Sequence, residues 1–150
     1  MVREKYRKAV FIVTYHKTKK EIEYLILKRK LHWKGWEFPK GAIEFFETKR
    51  RAVRRELFEE TGLKPIGEIK KLNYSGKYDY EKVLPDRSGF RGQTFTLYAV
   101  EIKKGRIKLD KREHSEHKWV SFSQALKLLK WPNQRKSLKM VNSFIVDGKV

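Results

Sequence analysis

The chain has 150 residues, of which 39% are hydrophobic, and it contains no cysteine. This length suits one compact domain, and we expect residues 1–150 to form a single one. Without cysteine, disulfides and thiolate metal sites are excluded, so any metal is held by oxygen or imidazole. No apolar run approaches the roughly eighteen residues of a membrane span, and the run at 9–13 is too short for a signal peptide. We therefore expect a cytoplasmic protein without a membrane partner.

The charge balance is strongly basic. The chain has 37 Lys and Arg residues against 18 Asp and Glu residues, which gives a net charge of +19. Such a charge attracts polyanions, chiefly nucleic acids and polyphosphates. A lysine-rich composition with little Asn and Gln is also typical of hyperthermophile proteins. RNA binding and a thermophilic composition are therefore two explanations of the same charge.

The first half of the chain predicts a hairpin, a loop and a helix. Residues 6–16 and 21–27 are rich in strand formers and flank a polar turn. Residues 33–40 contain Gly and Pro and predict a loop. Residues 48–61 predict a helix that Thr48 caps at its start and that ends at Gly62.

The second half of the chain predicts three strands and two helices. The strands are residues 66–81, 93–102 and 117–120, and the helices are 121–129, capped by Ser121 or Ser123, and 131–148. Strands interleaved with helices predict an α/β fold, in which a mixed β-sheet carries helices against its faces.

Three glutamates of the predicted 48–61 helix share one face. Glu56, Glu59 and Glu60 stand at positions i, i+3 and i+4. Three carboxylates so placed repel one another unless a cation lies between them, and Mg²⁺ takes carboxylates together with water and substrate phosphates. The glycines of the preceding loop let the backbone approach a ligand and offer a carbonyl oxygen. This spacing predicts an oxygen-ligated divalent site; the alternative is an amphipathic helix with a solvated charged face.

The same segment carries a longer pattern. It reads Gly, five residues, Glu, seven residues, Arg-Glu, an aliphatic residue, any residue, Glu-Glu, any residue, Gly and an aliphatic residue. These positions are Gly41, Glu47, Arg55, Glu56, Leu57, Glu59, Glu60, Gly62 and Leu63. The pattern resembles the signature of the Nudix hydrolase family at every specified position. The order of strands and helices around it is also similar to that family.

The resemblance implies an α/β/α sandwich with a mixed β-sheet, and a metal-dependent hydrolase of pyrophosphate bonds in nucleotide-linked substrates. The glutamates that match Glu56, Glu59 and Glu60 bind Mg²⁺ or, alternatively, Mn²⁺ in the family. A backbone carbonyl, here of Lys40 or Gly41, completes the site. The resemblance implies that Arg55 orients the catalytic carboxylates. It also implies that Glu44 and Glu47 lie around the metal ligands without binding the metal themselves.

The group that takes the proton from the attacking water varies within the family. It is either a glutamate of the signature, here Glu59, or one from a later loop. Glu113 lies six residues before Trp119, a spacing similar to that of a ligand or base in relatives, and Glu116 is a weaker candidate. For His114 and His117 an ordinary structural role is favoured over metal ligation.

The substrate is indicated by finer features. The sequence Phe38-Pro39-Lys40-Gly41 is similar to the diadenosine tetraphosphate hydrolases of the family, which makes a dinucleoside polyphosphate the first candidate. RNA 5′-pyrophosphohydrolases usually have Gln where Lys40 stands. The alternatives are an RNA 5′-end pyrophosphohydrolase, a nucleoside triphosphate sanitiser, and a non-catalytic RNA-binding module.

Aromatic residues lie among basic ones over residues 74–91, an arrangement that ordinary strand packing with surface cations would also explain. Such a segment can stack a base while it holds phosphates. We expect it to recognise the substrate through Tyr74, Tyr78, Tyr80 and Arg91, together with Lys40. The family leaves the oligomeric state open between monomer and homodimer.

Overall fold

A computed structural model describes residues 5–82, 84–87 and 89–148. Val83 and Ser88, which fall in the predicted recognition segment, lie outside the described residues. The strands are β1 (Lys5–Lys17), β2 (Ile22–Arg29), β3 (Gly35–Glu37), β4 (Lys40–Ala42), β5 (Lys70–Asp79), β6 (Phe90–Glu101) and β7 (His114–Val120). The helices are α1 (Lys49–Thr61), α2 (Phe122–Leu128) and α3 (Pro132–Asp147), with a short 3₁₀ helix at Pro85–Arg87.

The strands form one mixed sheet. Its order is β3-β2-β1-β6-β5, and β4 and β7 pair with β1 and β2 off this path. The long strands β1 and β6 run parallel, whereas the other pairs are antiparallel. The central strand β1 thus joins the hairpin half of the sheet to the β5–β6 half, and β4 brings the start of the Nudix-like segment against it.

Two apolar cores lie on opposite faces of the sheet. Successive residues of a strand point to opposite faces, and β1 supplies Val10 and Ile12 to one core and Phe11 and Val13 to the other. The first core also contains residues of α1, and the second contains residues of α2 and α3. The predicted α/β/α sandwich with a mixed β-sheet is therefore confirmed.

The helix ends follow local sequence signals. Thr48 caps α1 by accepting a hydrogen bond from the backbone N–H of Arg51, and Gly62 ends it in the left-handed conformation. Ser121 and Gln124 form a reciprocal capping box on α2, and Gly148 ends α3. Among the helices of the described residues, none is both long and apolar enough to cross a membrane.

Several element boundaries differ from the sequence-based expectation, and three of these differences have a clear cause. Residues 33–40 contain β3 and the start of β4 rather than only a loop, because three-residue strands carry no readable periodicity. The strand expected from residue 66 begins at Lys70, since Gly67 adopts a positive φ just before it. The strand expected at 117–120 begins at His114, where it pairs with Arg29 of β2.

Candidate active site

An acidic pocket of about 100 Å³ lies where α1 faces β4 and the loop before β7. Helix α1 contributes Glu56, Glu59 and Glu60, and the loop contributes Glu113. Glu60 is 1% exposed, whereas the side chain of Glu59 is half exposed. The structure thus brings together Glu56, Glu59, Glu60 and Glu113, whereas the weaker candidate Glu116 lies outside the pocket lining, 3.3 Å from Lys28 Nζ.

The turn between Pro39 and Gly41 packs directly on two of these carboxylates. The backbone N–H of Lys40 donates to Glu60 Oε2 at 3.0 Å. A Cβ atom on Gly41 would lie 1.9 Å from Glu56 Cδ, so only glycine allows this approach. The main chain of β4 therefore forms one wall of the acidic pocket.

Arg55 holds the carboxylates around α1 in one arrangement. It donates to both oxygens of Glu47, from Nε at 2.7 Å and from Nη2 at 2.9 Å. Its Nη1 donates to Glu56 at 2.9 Å and to Glu59 at 3.2 Å, and Nη2 reaches the Ala42 carbonyl at 2.7 Å. Glu44 lies 3.6 Å from Nη1. The planar guanidinium of Arg55 therefore joins the loop to the helix.

The carboxylates of the acidic pocket are crowded together, and those of Glu56 and Glu60 are largely buried. Burial raises the pKa of Glu56 to about 7, an effect that Arg55 partly opposes and that Glu59 and Glu113 reinforce. Burial, followed by the charges of Glu37 and Glu56, raises the pKa of Glu60 well above its usual range. Carboxylates so crowded favour either a proton or a cation. The pocket therefore has the electrostatics of a cation site.

A buried ionic network lies behind the acidic pocket. Glu37 Oε2 accepts from Arg29 Nη1 at 3.0 Å and lies 2.8 Å from His114 Nε2, and its Oε1 lies 3.5 Å from Lys40 Nζ. Burial alone would raise the pKa of Glu37, but Lys40, the His114 hydrogen bond and Arg29 hold it at about 2. The network joins β2, β3, β4 and β7 through charges that are costly to separate.

An aromatic groove of about 400 Å³ opens beside the acidic pocket. Trp33 and Trp131 both line it and pack edge to face, with ring centroids 5.3 Å apart. His32 Nε2 contacts Asp86 at 2.9 Å and joins the two loops that line one side. The groove and the pocket share Arg29, Lys40 and Arg87. A planar apolar group bound in the groove would therefore lie next to these three cations, and the carboxylates of the acidic pocket lie beyond them.

Two arginines from distant parts of the chain face each other at the acidic pocket. Arg7 and Arg87 both line it. Burial and then the positive charge of Arg87 lower the pKa of Arg7, while Tyr80 and Glu56 oppose that change. Because like charges repel, an anionic group between them would relieve the repulsion. These side chains suit a phosphate.

The predicted substrate residues divide into two sets. Lys40, Tyr78 and Tyr80 line the groove. Tyr74 packs edge to face on Phe95 below Lys136, outside the groove lining. Arg91 donates to Asp79 at 2.6 Å on an exposed edge of the sheet. Substrate contact by these residues stays a prediction.

Several residues of the site carry no sequence motif. Arg7 and Arg29 line the same pocket, and Glu37 contacts Arg29, because strand pairing brings β1, β2 and β3 side by side. A signal existed for Glu37, which is a charged residue between the aromatic residues Trp36 and Phe38. For His114 the sequence favours an ordinary structural role, and this buried side chain contacts Glu37 of the ionic network.

Comparison with known proteins gives the family. The family model of the NUDIX domain matches residues 5–141. An RNA pyrophosphohydrolase of Nitratiruptor sp. is 31% identical over 127 residues, covering 81% of this chain and 82% of that protein. An RNA pyrophosphohydrolase of Bartonella henselae is 30% identical over 120 residues, covering 73% of this chain and 69% of that protein.

Solved structures share the fold. A NUDIX hydrolase from Listeria monocytogenes superimposes with a TM-score of 0.77 at 21% identity, covering 97% of each chain. The Ap4A hydrolase of C. elegans superimposes with a TM-score of 0.69 at 23% identity, covering 94% of this chain and 98% of that one. The family model over residues 5–141 and the relative from Nitratiruptor sp. establish that the chain belongs to the Nudix family and is a Nudix hydrolase.

The acidic pocket fits the divalent metal that Nudix hydrolases generally need. Its donors are carboxylate oxygens and a nearby main chain, which suit hard divalent cations. One oxygen of Glu60 is buried without a hydrogen-bond partner, as expected for an atom that binds a cation. Glu56, Glu60, Glu59 and Glu113 are the side chains that would hold such an ion.

Proposed function

We propose that this protein hydrolyses a pyrophosphate bond in a nucleoside polyphosphate with Mg²⁺ as cofactor, and that its substrate is a dinucleoside polyphosphate such as diadenosine tetraphosphate. The observation that carries the proposal is the direct opening of the aromatic groove onto the acidic pocket. One nucleoside fits the groove, and its phosphates then run past shared cations to the carboxylates.

Residues of the groove bind the base, and residues at its junction with the acidic pocket bind the phosphates. Trp33, Tyr80 and Trp131 hold the base, because aromatic faces stack on any nucleobase. Arg29, Lys40 and Arg87 lie at the junction and neutralise phosphate oxygens. The binding of the nucleoside in the groove thereby fixes which phosphorus lies over the carboxylates.

The carboxylates then serve the hydrolysis itself. When bound, the divalent cation neutralises phosphate oxygens and lowers the pKa of a water molecule. Glu113 or Glu59 accepts a proton from the attacking water, since both line the acidic pocket and Glu59 is the more exposed. Arg55 keeps Glu56 and Glu59 oriented through its hydrogen bonds. Water attack on one phosphorus breaks its bond to the bridging oxygen, so diadenosine tetraphosphate gives ATP and AMP.

The experiment is product analysis by ion-exchange chromatography with Mg²⁺. We expect ATP and AMP from diadenosine tetraphosphate, and a fall of at least about 100-fold in kcat for Glu56→Gln. Trp131→Leu should raise KM more than it lowers kcat, since Trp131 lines the groove. Trp36→Leu is the matched control, because Trp36 is also half-buried but lies outside the groove lining. Equal KM changes in both variants would contradict the groove as the nucleoside site.

The second candidate is removal of pyrophosphate from an RNA 5′ end. It is supported by the names of the two curated relatives and by the net charge of +19. Lys40, where Gln is usual in that group, argues for the first candidate. The ratio of kcat/KM for 5′-triphosphate RNA to that for diadenosine tetraphosphate, measured at one salt concentration, decides between them. A ratio above one favours RNA.

A further inference from the structure

A histidine lies within the carboxylate cluster of the active site. Ligand atoms of Glu60, Glu113 and His114 all lie within 4.8 Å of one another. Three ligands evenly spaced around one ion at about 2.2 Å lie at most about 3.8 Å apart, so the three groups need to close by about 1 Å or less. The spacing is therefore compatible with one shared cation.

Two buried atoms without hydrogen-bond partners belong to this group. Among the described residues, the buried side-chain atoms that lack a partner are Glu60 Oε1, His114 Nδ1 and Glu37 Oε1. The last of these faces the Lys40 ammonium at 3.5 Å. Glu60 and His114, which are 1% and 0% exposed, retain one unpaired atom each. Buried polar atoms are rarely left so, and two in one cluster point to a missing ligand.

The contact of His114 with Glu37 fixes which ring nitrogen is free. Glu37 already accepts a hydrogen bond from Arg29 on the same oxygen, and a carboxylate can only accept. His114 Nε2 therefore carries the proton that it donates to Glu37 at 2.8 Å. In the neutral ring this leaves a lone pair on Nδ1. Metal-binding histidines commonly donate their other N–H to a carboxylate in this way.

We propose that His114 Nδ1 is a ligand of the active-site cation, together with Glu60 and Glu113, so that the site includes nitrogen as well as oxygen. Imidazole suits transition metals such as Fe²⁺, Ni²⁺ and Zn²⁺, whereas Mg²⁺ prefers oxygen. Mn²⁺ lies at the weak end of that series, so an imidazole ligand favours it over Mg²⁺ by a smaller margin. This inference rests on the divalent cation of the proposed function but not on its substrate.

Pulsed electron paramagnetic resonance of the Mn²⁺-loaded full-length protein tests the inference directly. We expect modulation from an imidazole ¹⁴N, which changes to the ¹⁵N pattern when histidine is labelled with ¹⁵N. In His114→Gln, whose amide can still donate to Glu37, the modulation disappears. Calorimetry should show Mn²⁺ affinity lowered by about tenfold or more and Mg²⁺ affinity lowered less. His117→Gln is the matched control, because His117 is exposed on the same strand.

The outcomes separate the inference from the proposed function. If Mn²⁺ binds to the wild-type protein without nitrogen modulation, His114 is not a ligand, while the hydrolase proposal stands. If the modulation persists in His114→Gln, another nitrogen is responsible and the inference is wrong. If neither Mn²⁺ nor Mg²⁺ binds at all, both proposals fail. The spectrum of the labelled wild-type protein decides whether histidine is a ligand even if the variant does not fold.

Discussion

Gly41 lies so close to Glu56 that a single added carbon atom would occupy the position of the carboxylate. The Cβ of an alanine at residue 41 would be 1.9 Å from Glu56 Cδ and 2.3 Å from each carboxylate oxygen. The glycine of the Nudix signature is thus required here by the close approach of β4 to a candidate ligand. The first position of the signature therefore has a steric cause in this chain.

Gly41→Ala should displace the Glu56 carboxylate and disrupt the acidic pocket. We expect activity to fall by on the order of 100-fold, since a shift of about 1 Å at a reacting centre has that effect. Affinity for Mg²⁺, measured by calorimetry, should fall with it. Gly105→Ala is the control, because its Cβ would meet only ordinary contacts at 3.9 Å. Unchanged Mg²⁺ affinity in Gly41→Ala would show that Glu56 is not a ligand.

Arg55→Lys should lower kcat more than it changes KM. Lysine keeps the charge but loses the fork that joins Glu47, Glu56 and the Ala42 carbonyl. We expect kcat to fall by roughly 10–100-fold, because two carboxylates lose their orientation. Arg54→Lys, one residue earlier on the exposed face, should have no such effect. A larger effect on KM than on kcat would mean that Arg55 binds substrate rather than positioning the carboxylates.

The stability of the metal-free protein should fall as the pH rises. Glu56 has an ordinary pKa of 4.5 and a folded-state pKa of about 7, so folding favours its protonated form. The free energy of unfolding therefore decreases between pH 4.5 and about 7, and Glu60 extends the decrease to higher pH. Added Mg²⁺ should reverse the loss above pH 7, as thermal unfolding with and without the ion will show.

Glu60→Gln supplies the control for this pH dependence. The substitution removes a buried charge, so the metal-free variant should unfold at a higher temperature than wild type at pH 8. It should also gain less stability from Mg²⁺. A metal-free variant that is less stable at pH 8, or a wild-type protein that becomes more stable from pH 5 to pH 7, would contradict the charge crowding described for the acidic pocket.

Phe46→Gly should stabilise the protein or leave its stability unchanged. Phe46 has a φ of 65° and is 91% exposed, so its side chain buries little and its backbone is strained. Glycine relieves that strain but also gives the unfolded chain more conformational entropy. The net effect should be to raise the free energy of unfolding by about 0–1 kcal/mol. Phe45→Gly is the matched control, since Phe45 is 88% exposed with an ordinary φ and should lose stability. Equal changes in unfolding temperature would mean that the backbone strain is small.

Much of the site was predictable because it is local in sequence. The spacing of Glu56, Glu59 and Glu60 places them together on any α-helix, and the caps at Thr48 and Gly62 fix where that helix starts and ends. The fold class followed from the order of strands and helices. The structure confirms the helix with its two caps, and it confirms the fold class.

The part of the ionic network that involves His114 was not predictable because this contact is long-range. Glu37 and His114 are 77 residues apart and meet only through the pairing of β2 with both β3 and β7. The same applies to Trp33 and Trp131, which meet at the groove from separate loops. Strand pairing in a mixed sheet depends on tertiary packing, and no local pattern in one segment specifies its distant partner.

The central claim is that water cleaves a pyrophosphate bond at the carboxylate cluster. The most direct measurement is hydrolysis of diadenosine tetraphosphate in ¹⁸O-labelled water with Mg²⁺, followed by mass spectrometry of the products. We expect ATP and AMP, with one ¹⁸O atom in one of the two products, and no cleavage by Glu56→Gln or without a divalent ion. If neither diadenosine tetraphosphate nor 5′-triphosphate RNA incorporates ¹⁸O, or if Glu56→Gln cleaves as fast as wild type, the proposed function is wrong.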